Sequence, residues 1–276
     1  TQLIVLYLES MERGQEFLAL AKRVVRRKPI VVLKAGESPA SSKAVHFHTG
    51  ALAGDTEILN AALRQACVHQ AHSLRDLDRL VVSLQSARVP QSNRIAIITN
   101  AGGPGILAMD AMSHTTLRRA ALSQNTKDQL HEVLPAAASL ANPIDIIGDA
   151  EPKRFALAVK CVLADSSVDA AVVLLTPQVM TRPTEVARHM VTSLRTSGKK
   201  TITAAFLGGA HVTEARAILT KAGIANFDVP EDAVMAMEDL WLQHQAAFLS
   251  GSVRSQSPVS IAPSVRSLLQ KPAILL

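Results

Sequence analysis

Short, largely apolar runs recur along this chain, separated by stretches in which apolar residues return every three or four positions. The runs at about 2–8, 29–34, 94–99, 170–175 and 201–206 are rich in Ile, Val, Leu and Ala and lack in–out alternation. Strands buried on both faces read this way, and they belong to parallel sheets covered by helices. Helical spacing fills the intervals. Phe17, Leu18, Leu20, Ala21 and Val24 repeat on one face of a helix entered at Ser10. Ile58, Leu59, Ala62, Leu63 and Ala66 do so in a helix that Asp55 caps. Further helices are predicted at about 73–86, 103–114, 126–134, 152–163, 183–195, 211–221 and 232–248, with short strands near 117–121 and 226–228. Strands alternating with helices of roughly 10–15 residues predict an α/β fold built from doubly wound parallel sheets.

The polar break Pro90-Gln91-Ser92-Asn93 divides this alternation into two series. The expected organisation is a first unit over 1–90, a second over 93–248, and a Ser/Pro/Val-rich linker over 249–276. Thr1 opens almost directly into a strand and the last residues are apolar, so the first unit is expected to be truncated at its N-terminus and the chain to be part of a longer protein.

Composition narrows the class. Hydrophobic residues make up 48% of the 276 positions and aromatic ones only 3%, which suits aliphatic layers. The formal charge of +6 could serve nucleic acid, but the basic residues read as dispersed, with one Tyr and one Trp available for stacking. No nucleic-acid partner is therefore expected. Cys67 and Cys161 lie far apart in apolar helical stretches and read as reduced cysteines. No signal peptide or membrane-length run is evident, so the expected location is the cytoplasm, without membrane attachment.

The candidate chemistry centres on His48, in Phe47-His48-Thr49-Gly50-Ala51-Leu52-Ala53-Gly54. The strand Pro29–Leu33 ends in Lys34-Ala35-Gly36, so His48 falls on a loop beyond the carboxyl end of a strand, where open α/β sheets hold ligands. Small neighbours let backbone N–H groups approach an anion, and a histidine there can accept a group and pass it on. A surface or core histidine is the plainer alternative. A metal site with His46 is disfavoured, because the pair lacks a cysteine or carboxylate at ligand spacing.

Glu9 stands just past the first strand, on the same predicted sheet edge. A carboxylate there would orient an imidazole and stabilise imidazolium, or it would simply favour a helix N-terminus. Asn100-Ala101-Gly102-Gly103-Pro104-Gly105 follows a strand and opens a helix, as an anion-binding turn does, although a tight connection reads the same way. Asn142-Pro143-Ile144-Asp145 and Gly148-Asp149 read as loop; turn and site roles are evenly matched. Thr176-Pro177-Gln178 and Gly208-Gly209 close later strands and read chiefly as turns.

Taken together, these segments resemble the NDP-forming acyl-CoA synthetases, relatives of succinyl-CoA synthetase. The His48 run is similar to their phosphohistidine loop, with Phe47 where serine is usual. Lys28-Pro29-Ile30-Val31-Val32-Leu33-Lys34-Ala35-Gly36, Asn100–Gly105 and Asn142–Asp145 match three further segments in the same order, and the resemblance spans roughly 1–248. It implies flavodoxin-like sheets, His48 and Glu9 as catalytic residues, and Thr49, Gly50, Gly102, Gly103 and Gly105 as phosphate contacts. Asn100, Asn142 and Asp145 would line a cleft, and no metal site is implied. The implied activity is an acid–thiol ligase interconverting acyl-CoA, NDP and phosphate with acid, CoA and NTP. No cofactor would be tightly bound; coenzyme A, ATP or ADP, and Mg would be substrates or cosubstrate. Implied partners are a CoA-binding Rossmann domain and an ATP-grasp domain or subunit, within an oligomer. Two alternatives are an acyl-CoA-sensing region of a protein lysine acetyltransferase and a non-catalytic nucleotide-binding module.

Overall fold

The computed structural model describes residues 1–11, 13–38, 41, 56–86, 88–196, 198 and 200–252. Two separate parallel sheets organise these residues. The first has the order β1 (Ile4–Leu8), β2 (Ile30–Lys34), β3 (His69–Ala71), with Ile4 opposite Ile30 and Val31 opposite His69. β2 is central and its Val31 and Val32 are fully buried, which is why its sequence is apolar throughout. Helices α1 (Gly14–Val24) and α2 (Thr56–Gln65) cover one face through Ala21, Leu63 and the chain that follows them. Leu80 of α3 (Leu74–Leu84) covers Val31, Leu33 and Ala71 on the other face.

β3 was not anticipated. His69-Gln70-Ala71 is short and polar, and side-chain bonds hold it in place. Gln70 donates to Asn60 at 2.7 Å and to Glu37 at 3.0 Å, while His69 Nε2 meets Gln243 Oε1 at 2.9 Å.

The second sheet is also parallel throughout, in the order β5 (Arg118–Arg119), β4 (Arg94–Thr99), β7 (Ala170–Leu175), β8 (Thr201–Phe206), β9 (Ala225–Phe227). The two-residue strand β6 (Ile144–Asp145) pairs with the end of β4, on the side where β5 pairs with its beginning. Helices α5 (Gln124–Val133), α6 (Pro152–Ala164), α7 (Pro183–Thr196) and α8 (Thr213–Lys221) pack on one face, around Phe155, Met190 and Phe206. Helices α4 (Gly102–Ser113) and α9 (Pro230–Ser252) cover the other, through Ala108, Met112, Val234 and Met237. This is a doubly wound sheet. Its strand order reverses between β4 and β7, and crevices for ligands open at such reversals.

Four boundaries differ from expectation, the first being that the helix expected from Ser10 begins only at Gly14. The 142–149 stretch, read as loop, contributes β6, because Ile144 and Asp145 pair with Ile98 and Thr99. The helix expected over 211–221 begins as a 3-10 turn at Gly209–Val212 before α8. The last helix continues to Ser252, beyond the expected linker start at 249.

The two sheets meet through α3 and α9. Arg79 bonds to Asp239 there, and Arg75 reaches Asp232 at 2.9 Å. Between the units, Arg88 donates to the carbonyls of Leu194 and Gly198 at 2.8 and 2.7 Å, which ties the connecting segment to the end of α7. A guanidinium suits that position, where helix carbonyls have lost their intrahelical donors.

Candidate active site

The carboxyl edge of the second sheet is built around Asn100. Its Oδ1 accepts from the Thr176 N–H and its Nδ2 donates to the Thr176 carbonyl, both at 2.8 Å. These two bonds clamp the end of β4 to the end of β7 across the reversal in strand order. Asn100 is almost wholly buried, so its side chain braces the crevice and is committed to that task.

Helix α4 starts immediately after this clamp, and its first amides can be assigned one by one. The Ala101 N–H is taken by Thr99 Oγ1 at 3.1 Å, and the Gly105 N–H points to Ala101 O at 3.4 Å. Pro104 has no N–H to offer. Gly102 and Gly103 remain, both exposed, with no acceptor among the described residues and no side-chain cap on the helix. Two free amides at the positive end of a helix dipole form an anion-accepting turn. A Cβ on Gly103 would meet nothing within 4 Å, so its backbone is open to an approaching group.

Gly105 has a different role. It is buried, and a Cβ there would lie 3.1 Å from Thr99 Cγ2 and 3.7 Å from Pro143 Cβ. Close packing of α4 on β4 requires the glycine. Asp145 stands beside the turn: its Oδ1 accepts the Ile147 N–H at 2.9 Å, and Oδ2 lies 3.7 Å from where a Gly102 Cβ would be. Gly102, Gly103, Asn100 and Asp145 are therefore brought together.

Asn142 is not. Its Oδ1 accepts the Ile97 N–H at 2.9 Å, and its Nδ2 donates to Ile95 O at 2.8 Å and Ala120 O at 3.1 Å. It lies within the sheet, bridging β4 to the chain after β5, rather than at a cleft. Sequence reading also passed over Thr176 as a turn residue. Its Oγ1 is buried at the reversal without a hydrogen-bond partner among the described residues, and only burial, invisible in sequence, could have singled it out.

On the first sheet, Glu9 follows β1 directly. Leu8 pairs with Lys34, and the Ala35 N–H extends the ladder to Leu8 O at 2.9 Å, so Glu9 and Ala35-Gly36 share the carboxyl edge. The Glu9 carboxylate has no hydrogen-bond or ion-pair partner among the described residues, whereas Lys34 is engaged by the Ala35 carbonyl. A cleft of about 300 Å³, lined by Ser10, Met11, Lys34, Ile58 and Leu59, adjoins this edge. His48, Thr49 and Gly50, with His46 and Phe47, belong to the connection between β2 and α2 and lie outside the described residues. Among the described residues no group of three or more His, Cys, Asp or Glu side chains could hold a metal ion, and no helix is long and apolar enough to cross a membrane.

Comparison with known proteins agrees with this architecture. Residues 1–84 match the succinyl-CoA ligase like flavodoxin domain, and residues 95–247 match the Ligase-CoA domain. The chain is 38% identical over 240 residues to acetate–CoA ligase (ADP-forming) I of Archaeoglobus fulgidus, covering 87% of this chain and 34% of that protein. It is 35% identical to the alpha subunit of acetate–CoA ligase (ADP-forming) II of Pyrococcus furiosus, covering 84% of this chain and 51% of that subunit. Among solved structures, the dinucleotide-forming acetyl-coenzyme A synthetase 1 of Candidatus Korarchaeum cryptofilum, in complex with phosphate and ADP, superposes with a TM-score of 0.84 at 32% identity. That match covers 92% of this chain and 56% of the other. The chain thus spans between about a third and a little over half of the relatives it matches. With both domain models accounting for its two sheets in order, the chain belongs to the Ligase-CoA family, with a succinyl-CoA ligase-like flavodoxin unit preceding the Ligase-CoA domain.

Proposed function

We propose that this chain carries the phosphoryl-relay part of an NDP-forming acyl-CoA synthetase, with the units divided as 1–90 and 93–248. The observation that carries the reading is the pair of free amides at Gly102 and Gly103, set at the strand-order reversal of the Ligase-CoA domain. In the overall reaction, acyl-CoA, ADP and phosphate are interconverted with acid, CoA and ATP. Phosphate first displaces CoA to give an acyl phosphate. A ring nitrogen of His48 then attacks phosphorus, the P–O bond to the acyl group breaks, and the carboxylate leaves. Finally a terminal oxygen of ADP attacks the phosphohistidine and the P–N bond breaks, restoring His48.

The chain's own groups have distinct tasks in this scheme. Glu9 fixes the imidazole tautomer and stabilises its positive charge, a task suited to a carboxylate at the carboxyl edge of the first sheet that has no partner among the described residues. Thr49, Gly50, Gly102 and Gly103 supply dipoles to the phosphoryl oxygens, the positioning and charge stabilisation on which such transfer depends. Asp145 is a negative charge beside the amides and would favour entry of a phosphoryl group whose own charge is balanced, as on a Mg-nucleotide. Coenzyme A, ADP or ATP, and Mg act as substrates and cosubstrate. A CoA-binding domain and an ATP-grasp domain or subunit are the proposed partners, in an oligomeric cytoplasmic enzyme.

The test is a phosphoenzyme assay on the chain supplied with those partners, acyl-CoA and radioactive phosphate. Acid-labile, base-stable label is expected on the parent protein and absent from His48→Asn. Equal labelling of both proteins removes His48 from the mechanism.

A further inference from the structure

The chain's basic residues read as dispersed overall, but the end of α1 and the turn after it depart from that reading with a local concentration of positive charge that the relay does not use. Lys22, Arg23, Arg26, Arg27 and Lys28 fall within seven residues that contain no acid, and they supply five of the chain's 29 lysines and arginines. Lys22, Arg23, Arg26 and Arg27 are exposed and Lys28 is half-buried. None of the five forms an ion pair or side-chain hydrogen bond with another described residue. Several arginines elsewhere behave differently: Arg75, Arg79, Arg94, Arg154 and Arg216 each meet an aspartate.

Helix polarity accounts for only part of this. The carboxyl end of a helix is equivalent to roughly half a negative charge, enough to favour one cation in the last turn. Helices α7 and α8 have one such residue each, Arg195 and Lys221. Cations packed well within a Debye length of about 10 Å repel one another, and nothing in the described chain offsets that repulsion.

The geometry is concave. Arg23, Arg26, Arg27 and Lys28 line a cleft of about 540 Å³ whose apolar surface comes from Ile4, Leu20 and Val24. Leu20, Arg23 and Val24 share one face of α1 at i, i+3, i+4 spacing, and Arg27 follows in the turn just past its end, so apolar residues and charge lie side by side. Leu20 is 57% exposed, an apolar side chain left open beside guanidinium groups. Ile4 begins β1 and Lys28 lies just before β2, so the cleft is at the amino ends of the strands, opposite the edge that carries Glu9.

From this placement we infer that the α1–β2 corner is a binding site for a nucleoside polyphosphate, with the phosphates on Arg23, Arg26, Arg27 and Lys28 and the base against Leu20, Ile4 and Val24. The volume falls within the usual range for a small-molecule pocket, roughly 300–1,000 Å³, and guanidinium forks match phosphate geometry. A nucleic acid fits less well, because the patch offers no aromatic side chain for stacking and its cations occupy one short corner rather than a groove-length stripe. A nucleotide held at the amino edge cannot meet groups at the carboxyl edge, so it would act as an effector rather than as a phosphoryl donor. The inference does not depend on the relay reading.

Calorimetric titration of the 276-residue chain at about 150 mM salt, near the physiological value, tests it. ATP, ADP, AMP, adenosine, inorganic triphosphate and a short DNA duplex are the probes. Affinity should rise at least tenfold from AMP to ATP, and R26A/R27A should weaken ATP at least tenfold while K153A/K160A, with the same loss of charge on α6, leaves it unchanged. Leu20→Asn should weaken ATP but not inorganic triphosphate. Absence of ATP binding, equal weakening by the two double variants, or tighter binding of duplex DNA than of ATP would each overturn the inference. Thermal melts of every variant separate loss of the site from loss of fold.

Discussion

Arg79 of α3 and Asp239 of α9 form a buried ion pair at the contact between the two sheet units, and Ser83 Oγ lies 3.3 Å from the same carboxylate oxygen. The residues are 9% and 6% exposed, so neither charge has water to fall back on. Burial raises the Asp239 carboxyl above its ordinary range even with the guanidinium beside it. The pair therefore sets how the units meet more than it adds net stability. Removing one partner strands the other. Arg79→Met or Asp239→Asn should each cost about 3–5 kcal/mol in denaturant unfolding, and the double variant Arg79→Met/Asp239→Leu should recover most of it. Additive single losses in the double variant would contradict this.

Two glycines of α4 should separate packing from chemistry. Gly105→Ala forces a methyl to within 3.1 Å of Thr99 Cγ2 and should destabilise by about 1–3 kcal/mol, the usual overpacking range. Gly103→Ala meets open space and should leave the melting temperature equal or higher, since alanine favours helix by up to ~1 kcal/mol. It should nevertheless slow phosphoenzyme turnover by crowding the free amides. Paired melts and labelling rates provide the comparison.

Acid stability should depend on Asp165. Burial alone would raise its pKa, but the Ser167 and Ser123 amides, with the Ser167 and Thr126 hydroxyls, outweigh it and hold the carboxyl below the usual range. Ser123 N and Ser167 N each lie 2.8 Å from it. A depressed folded-state pKa gives stability that is fully present above the unfolded value of about 3.9 and is lost as pH falls toward the folded value. Asp165→Asn should lower stability at neutral pH and flatten the fall below about pH 4. An unchanged acid limb in urea melts across pH 2–7 would show that the carboxylate contributes nothing there.

Glu9→Gln keeps a hydrogen-bonding side chain and removes the charge. Within the proposed relay it should slow His48 labelling by on the order of 1–3 kcal/mol of barrier, between the near-neutral effect expected of His46→Asn and the total loss in His48→Asn. Rates of phosphoenzyme formation in the three variants rank them. Wild-type labelling in Glu9→Gln would remove its carboxylate from the relay.

Much of the fold was legible because its central strands are buried on both faces. Val31-Val32 and Ala170–Leu175 could be nothing but sheet interior, and helical spacing filled the gaps between them. The glycine run after β4 likewise announced a turn that opens a helix. β3 and β6 were missed because their pairing is decided by neighbours: His69-Gln70-Ala71 is held by Asn60, Glu37 and Gln243, and Ile144-Asp145 by the end of β4. No local pattern encodes such partners.

The site divides in the same way. Sequence alone identified which residues could do chemistry, since glycine, histidine and carboxylate carry their properties wherever they sit. Only the tertiary structure decided which polar groups remain available. Asn100 and Asn142 looked alike in the chain, yet one braces a crevice at Thr176 and the other is buried between strands, both with their side-chain amides bonded to backbone. Gly102, Gly103 and Gly105 looked alike too, and a methyl's worth of space against Thr99 distinguishes them. Hydrogen-bond capacity and free volume are set by what surrounds a residue, and those surroundings exist only once the chain has folded.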